Sequence, residues 1–147
     1  MTLPELLPIM AEPLRLRILN LLASSPLCVQ HLQKALASDQ VSVSKHLLIL
    51  KAEGLVTSEK IRFWRLYRLS PNPSRTFRRL LECVQTAIRE EGLYAEDMAR
   101  LGRLRSQIAP FLHGKKERGP ITTKTSLPEP TPHVPSEFSG PMEDHLL

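Results

Sequence analysis

Between Cys28 and Leu69 the hydrophobic period changes once, and that change constrains the fold more than any other feature of the chain. Up to Gly54 the apolar residues recur at helical spacing. Val29, Leu32, Ala35 and Leu36 make one stripe, Ala37, Ser38 and Asp39 interrupt it, and Val43, Leu47 and Leu50 make a second. Asp39 is a natural N-cap for a helix from Gln40 to Ala52, and Gly54 a natural C-terminal stop. Two short helices joined by three or four residues form a helix-turn-helix pattern. Beyond Gly54, Leu55 to Lys60 and Arg62 to Leu69 are rich in β-branched and aromatic residues and end at Ser70-Pro71. They predict two antiparallel strands with a tight turn near Glu59, Lys60 and Ile61. Trp64 and Leu66 lie on one face of the second strand and Phe63, Tyr67 and Leu69 on the other, so either both faces are partly covered or a bulge shifts the register.

The flanks read as further helices. Leu3, Leu6, Leu7 and Met10 form a short apolar face after Thr2 as N-cap, with Pro4 in the first turn and Pro8 keeping the helix short or kinked. From Glu12 to Ser24, Leu14, Ile18, Leu21 and Leu22 keep helical spacing. Ser74 to Glu91 is predicted as one long helix carrying Phe77, Leu80, Leu81, Val84 and Ile88, ended by Gly92. Glu96 to Leu112 is another, with Arg100, Arg103 and Arg105 solvated. From Gly119 on, six of 29 residues are proline, a composition that predicts a disordered tail. The expected fold is mainly α with a small β-hairpin wing: residues 1–72 a winged helix-turn-helix, residues 73–118 a helical dimerisation extension, and residues 119–147 the tail.

The 147 residues suit one domain with appendages. The net charge of +5 is unevenly spread, since residues 1–118 carry +8 and residues 119–147 carry −3. A basic body raises the expectation of a polyanion partner, because Lys and Arg near phosphates release counterions. No apolar run reaches the roughly 18 residues of a membrane span, and the N-terminus lacks a secretory pattern, so no membrane association and a cytoplasmic location are expected. Cys28 and Cys83 are too few for a disulfide framework or a four-thiolate zinc site. No nucleophile, base and orienter set and no Gly-rich phosphate loop is present, so an enzyme is not expected.

Three segments resemble the ArsR/SmtB family of dimeric bacterial repressors: MAEPLRLRILNLLASSPLCVQHLQKAL, DQVSVSKHLLILKAEGLV and RFWRLYRLS. Pro13, Arg15, Leu16, Ile18, Leu19 and Leu22 fit the family's first block. Gln40, Val43, Ser44, His46, Leu47, Leu50, Gly54, Leu55 and Val56 fit its helix-turn-helix block, and Tyr67, Arg68 and Leu69 fit the end of its wing. The resemblance covers about residues 5 to 70. It implies a homodimeric transcriptional repressor that occupies promoter DNA, with two recognition helices in successive major grooves.

On the helix from Gln40 to Ala52 the inward Val43, Leu47 and Leu50 leave Gln40, Val41, Ser44, Lys45 and Leu48 facing out. Gln40 has the donor and acceptor pair that reads adenine, and Lys45 reaches guanine or phosphate. Ser42 and His46 are placed for phosphate or base-edge contacts, although His46 also fits a half-buried local role. Lys60 and Arg62 in the wing and Arg17 on the preceding helix are candidate phosphate contacts, each with the alternative of a solvated cation. Trp64 and Tyr67 fit cross-strand packing better than base stacking. A winged-helix module that binds protein and has lost DNA reading is the rival from another class.

Arsenic-sensing relatives carry C-V-C-D-L where this chain reads Cys28-Val29-Gln30-His31-Leu32, so one thiol of the usual pair is replaced. The zinc-sensing pattern is also missing, because Ser74 to Glu91 holds no histidine. Cys28 is then a buried apolar residue, or a thiol sensor acting with Cys83, or the signal lies elsewhere. No cofactor is expected, and the effector is left open.

Overall fold

The computed structural model describes residues 1–113, with side chains through residue 110; the Pro-rich segment 119–147 lies outside the described residues. Helices α1 (Leu3–Ala11) and α2 (Pro13–Ser24) lead into a two-residue strand β1 (Leu27–Cys28). The helix-turn-helix follows as α3 (Val29–Leu36) and α4 (Gln40–Ala52), and the wing as β2 (Val56–Ile61) and β3 (Trp64–Leu69). Helices α5 (Arg75–Ile88), α6 (Gly92–Arg103) and α7 (Arg105–His113) complete the described chain. Met1–Ile108 form one unit, and a second begins at Ala109.

Local chemistry sets the ends of α4. The Asp39 carboxylate accepts from the Ser42 amide at 2.9 Å, which satisfies one of the helix's orphan donors. At the other end Gly54 sits at φ +79, and its amide and that of Leu55 bond to the carbonyls of Lys51 and Leu50. That is a Schellman closure, and Leu50 and Leu55 supply its buried apolar pair. The amide bond to Ser42 is the main cause that holds the Asp39 carboxyl below the usual aspartate range. A group with a lowered folded pKa stabilises above its unfolded value and loses that contribution as pH falls through the folded one. Urea midpoints should therefore decline as pH falls below about 4, and Asp39→Asn, which keeps a capping oxygen, should flatten that decline. An unchanged acid limb in the variant would contradict the cap's role.

The C-terminus of α3 is closed with equal economy. Its last four carbonyls are those of Gln33 to Leu36. Ser38 and Ala37 amides bond to Gln33 and Lys34, while Arg100 Nε donates to the Ala35 oxygen and Arg17 Nη2 to the Leu36 oxygen, each at 2.8 Å. Ala37 adopts φ +52, the left-handed position that glycine usually fills.

The sheet has three antiparallel strands in the order β1-β3-β2. Tyr67 pairs with Leu27 and Ser58, and Leu66 with Cys28 and Glu59. With β3 central and flanked on both edges, Leu66 and Tyr67 are both buried although adjacent, so strict alternation misjudges the inner face. Ile61 pairs with Trp64, which places the turn at Arg62-Phe63, beyond the Glu59 to Ile61 position predicted. Arg62 takes φ +59 there with no glycine to announce the turn.

The core gathers Leu6 and Met10 of α1, Ile18, Leu19, Leu21 and Leu22 of α2, Leu32 and Leu36 of α3 and Val43, Leu47 and Leu50 of α4, with Tyr67, Phe77, Leu81, Leu101 and Ile108. Phe77, Leu81 and Ile88 are thus buried inside their own chain. Gly92 opens α6 instead of closing the helix before it, and the single helix expected from Glu96 to Leu112 is broken at Leu104 into α6 and α7.

Candidate nucleic-acid interface

Helix α4 presents one buried and one open face. Val43, Leu47 and Leu50 have no exposed surface, while Gln40, Val41, Ser44, Lys45 and Leu48 are exposed and Ser42 is half-buried. The open side begins at the helix N-terminus, where partial positive charge favours an anion such as phosphate. The amide of Gln40 offers both a donor and an acceptor, the Ser44 hydroxyl can do either, and Lys45 supplies a mobile cation, a set able to bond base edges and phosphates.

His46 lies on the flank of this face and its ring is already engaged. Arg15 Nη1 donates to Nδ1 at 3.0 Å, since a guanidinium can only donate, and Nε2 lies 3.8 Å from the Glu12 carboxylate. Arg15 Nε also donates to the Ile9 oxygen at 2.7 Å, and its amide to Glu12 at 2.8 Å. The cluster joins the end of α1 and the start of α2 to the middle of α4, which gives the half-buried His46 local partners on the flank of the open face.

The wing is tied to α4 through Ser58, whose hydroxyl accepts from Lys51 Nζ at 3.0 Å and from Arg65 at 3.2 Å. Lys60 and Arg62 stand exposed toward the tip, and Arg68 meets Glu59 at 3.7 Å.

Arg17 is the site residue the structure relocates. Its Nε and Nη2 donate to the two oxygens of Asp97 at 2.9 and 2.8 Å, and Arg100 donates to the same carboxylate at 3.0 Å. Asp97 has no exposed surface and the Arg17 side chain only 16%. The paired carboxylate raises the Arg17 pKa further above its ordinary value. Arg17 is a half-buried strut between α2, α3 and α6 whose guanidinium is engaged by Asp97 and the Leu36 carbonyl instead of standing free for a phosphate, and Arg100, expected to be solvated, is half-buried on Asp97 and the Ala35 carbonyl. The partner lies 80 residues away in sequence, so only the i, i+3 spacing of Asp97 and Arg100 hinted at the cluster.

The chain is similar to known proteins. A family model described as bacterial regulatory protein, arsR family, matches residues 12–58. The HTH-type transcriptional repressor SmtB of Mycobacterium tuberculosis is 47% identical over 66 residues, 45% of this chain and 49% of that protein. The arsenical resistance operon repressor of Escherichia coli is 41% identical over 69 residues, 46% of this chain and 59% of that protein. The chain spans about half the length of the curated relatives it matches. HlyU from Vibrio cholerae superposes with a TM-score of 0.51 at 33% identity, covering 56% of this chain and 86% of that one. Residues 12–58 carry the helix-turn-helix region of the ArsR family of bacterial regulatory proteins. The chain's fold is the winged helix-turn-helix.

In this chain the cysteine of the thiol motif is withdrawn from solvent. Cys28 is fully buried on β1, immediately before α3, and burial pushes its thiol up to about 12. A thiolate is the nucleophile and the metal ligand, so this burial favours the reading of Cys28 as a buried apolar residue over a thiol sensor. Cys83 on α5 is exposed. His31 is also buried, and desolvation lowers its pKa. Among the described residues no three His, Cys, Asp or Glu side chains converge on a metal-sized site. Ellman's reagent should modify one thiol rapidly in the native protein and the second only on unfolding, and Cys83→Ser should remove the fast reaction. A fast reaction surviving in that variant would show that Cys28 is accessible. No helix among the described residues is long and apolar enough to cross a membrane.

Proposed function

We propose that the protein is a homodimeric transcriptional regulator that binds double-stranded DNA in sequence-specific fashion and represses by occupying a promoter. The supporting observation is α4 itself: a helix capped at both ends, anchored by three fully buried residues, whose open face carries Gln40, Val41, Ser44 and Lys45 beside a basic wing. Gln40 and Ser44 read base edges, Lys45, Ser42, Lys60 and Arg62 hold phosphates, and Val41 makes apolar contact with a thymine methyl.

Residues 1–72 read DNA and residues 73–118 assist dimerisation, with 119–147 as an appended Pro-rich segment. The dimer face uses the outer side of α1, where Leu3 and Leu7 are 45% and 46% exposed, together with the outer side of α5. A chain with this role is not an enzyme and works in the cytoplasm. The relatives named as repressors favour DNA binding over the protein-interaction alternative.

Selection from a random duplex library, followed by anisotropy titration across salt, tests this. The expected result is an enriched pair of half-sites one DNA turn, about 34–36 Å, apart, with affinity that falls steeply with salt. Failure to enrich any sequence would reject specific DNA binding.

A further inference from the structure

The wing tip carries an exposed aromatic side chain that neither the core nor the turn requires. Phe63 is 74% exposed and Trp64 beside it 37%, although tight two-residue turns favour Gly, Asn or Asp. The first turn residue, Arg62, holds a left-handed φ of +59, a conformation that costs a residue with a Cβ. The tip is surrounded by cations, with Lys60 and Arg65 as a cross-strand pair just below the turn. An apolar protein groove would have to desolvate those charges, whereas a polyanion gains from them. The hairpin base is anchored, because Lys51 and Arg65 both bond Ser58, so an inserted tip would be braced against α4.

We infer that Phe63 is a wedge that enters the minor groove of double-stranded DNA beside the half-site read by α4, partly unstacking one base step and bending the duplex, while Arg62 and Lys60 hold the adjacent phosphates. The inference rests on the DNA-binding function proposed above. Apolar wedges of this kind part base steps and kink the duplex, and pyrimidine–purine steps yield most easily. The wing thereby adds sequence preference at a TA or CA step through deformability, with no hydrogen bond to a base.

The test uses the full chain and a duplex of about 30 base pairs recovered by selection with the wild-type protein, with 2-aminopurine in place of the adenine of the flanking step and a donor–acceptor pair on its ends. Wild type should raise the 2-aminopurine emission and shorten the end-to-end distance. Phe63→Ala should bind about tenfold more weakly, within the range of one lost stacking contact, and give neither signal. Phe63→Leu should keep both. Exchanging the flanking step for a stiff A-tract should weaken wild type and leave Phe63→Ala unaffected. Wild type bound without unstacking, or Phe63→Ala bound with undiminished unstacking, would overturn the wedge while leaving DNA binding intact. No binding to any selected duplex would overturn both. A change in self-association of Phe63→Ala without DNA, seen by sedimentation, would make the tip a protein contact and also overturn the wedge.

Discussion

Asp97→Ala should lower the unfolding free energy by about 3 kcal/mol, toward the lower end of what breaking a buried ion pair costs. The carboxylate has no exposed surface and receives three hydrogen bonds from two arginines. Its removal leaves Arg17 and Arg100 half-buried without a counter-charge, and their residual solvent access, 16% and 27% of each side chain, keeps the loss from being larger. The same arginines close the last two carbonyls of α3, so the loss extends to the turn that delivers the N-terminus of α4. Asp97→Asn should lose less, because an amide oxygen still accepts. Urea denaturation read by circular dichroism measures both variants. A change below about 1 kcal/mol, the usual worth of an exposed pair, would show that the cluster holds nothing together.

Leu47→Ala should cost about 2–5 kcal/mol, the range for a fully buried leucine truncated to a cavity. Leu47 is the middle of the three residues that seat α4 on the core, and domains of this size hold only about 5–15 kcal/mol in all. Leu48→Ala makes the same chemical change one position along, on the exposed face, and should stay within about 0.5 kcal/mol. Comparable losses in the two variants would mean that α4 is seated differently from the orientation described.

Helix α4 is legible from sequence because everything that bounds it is local. Asp39, Gly54 and the Val43, Leu47, Leu50 spacing lie within 16 positions of one another, and the observed helix runs from Gln40 to Ala52 as read. What escapes notice is long-range or lacks a local sign. Strand β1 is two residues long and exists only because Leu27 and Cys28 pair with β3. The wing turn falls two residues late because Arg62 occupies a glycine-like conformation. Gly92 looks like a helix stop, yet α6 begins there, and the break at Leu104 before α7 is marked locally by Gly102 alone, a single glycine that a helix interior also tolerates. Arg17 is an ordinary surface cation in the sequence until Asp97, from another helix, is placed against it. Cys28 shows the same limit, for the sequence leaves a buried apolar residue and a thiol sensor both open and only the fold shows the side chain fully buried.

The affinity of Gln40→Ala for the selected duplex, set against its affinity for an unrelated duplex, tests most directly whether the open face of α4 reads DNA. Gln40 is exposed at the first position of a helix capped by Asp39, so the substitution leaves the core and the cap untouched. A bidentate glutamine–adenine contact is worth about 1–3 kcal/mol of discrimination. Binding to the selected duplex should weaken by roughly 5- to 150-fold, with binding to unrelated DNA and the salt slope unchanged. Wild-type affinity of Gln40→Ala for the selected duplex would contradict base reading by this face.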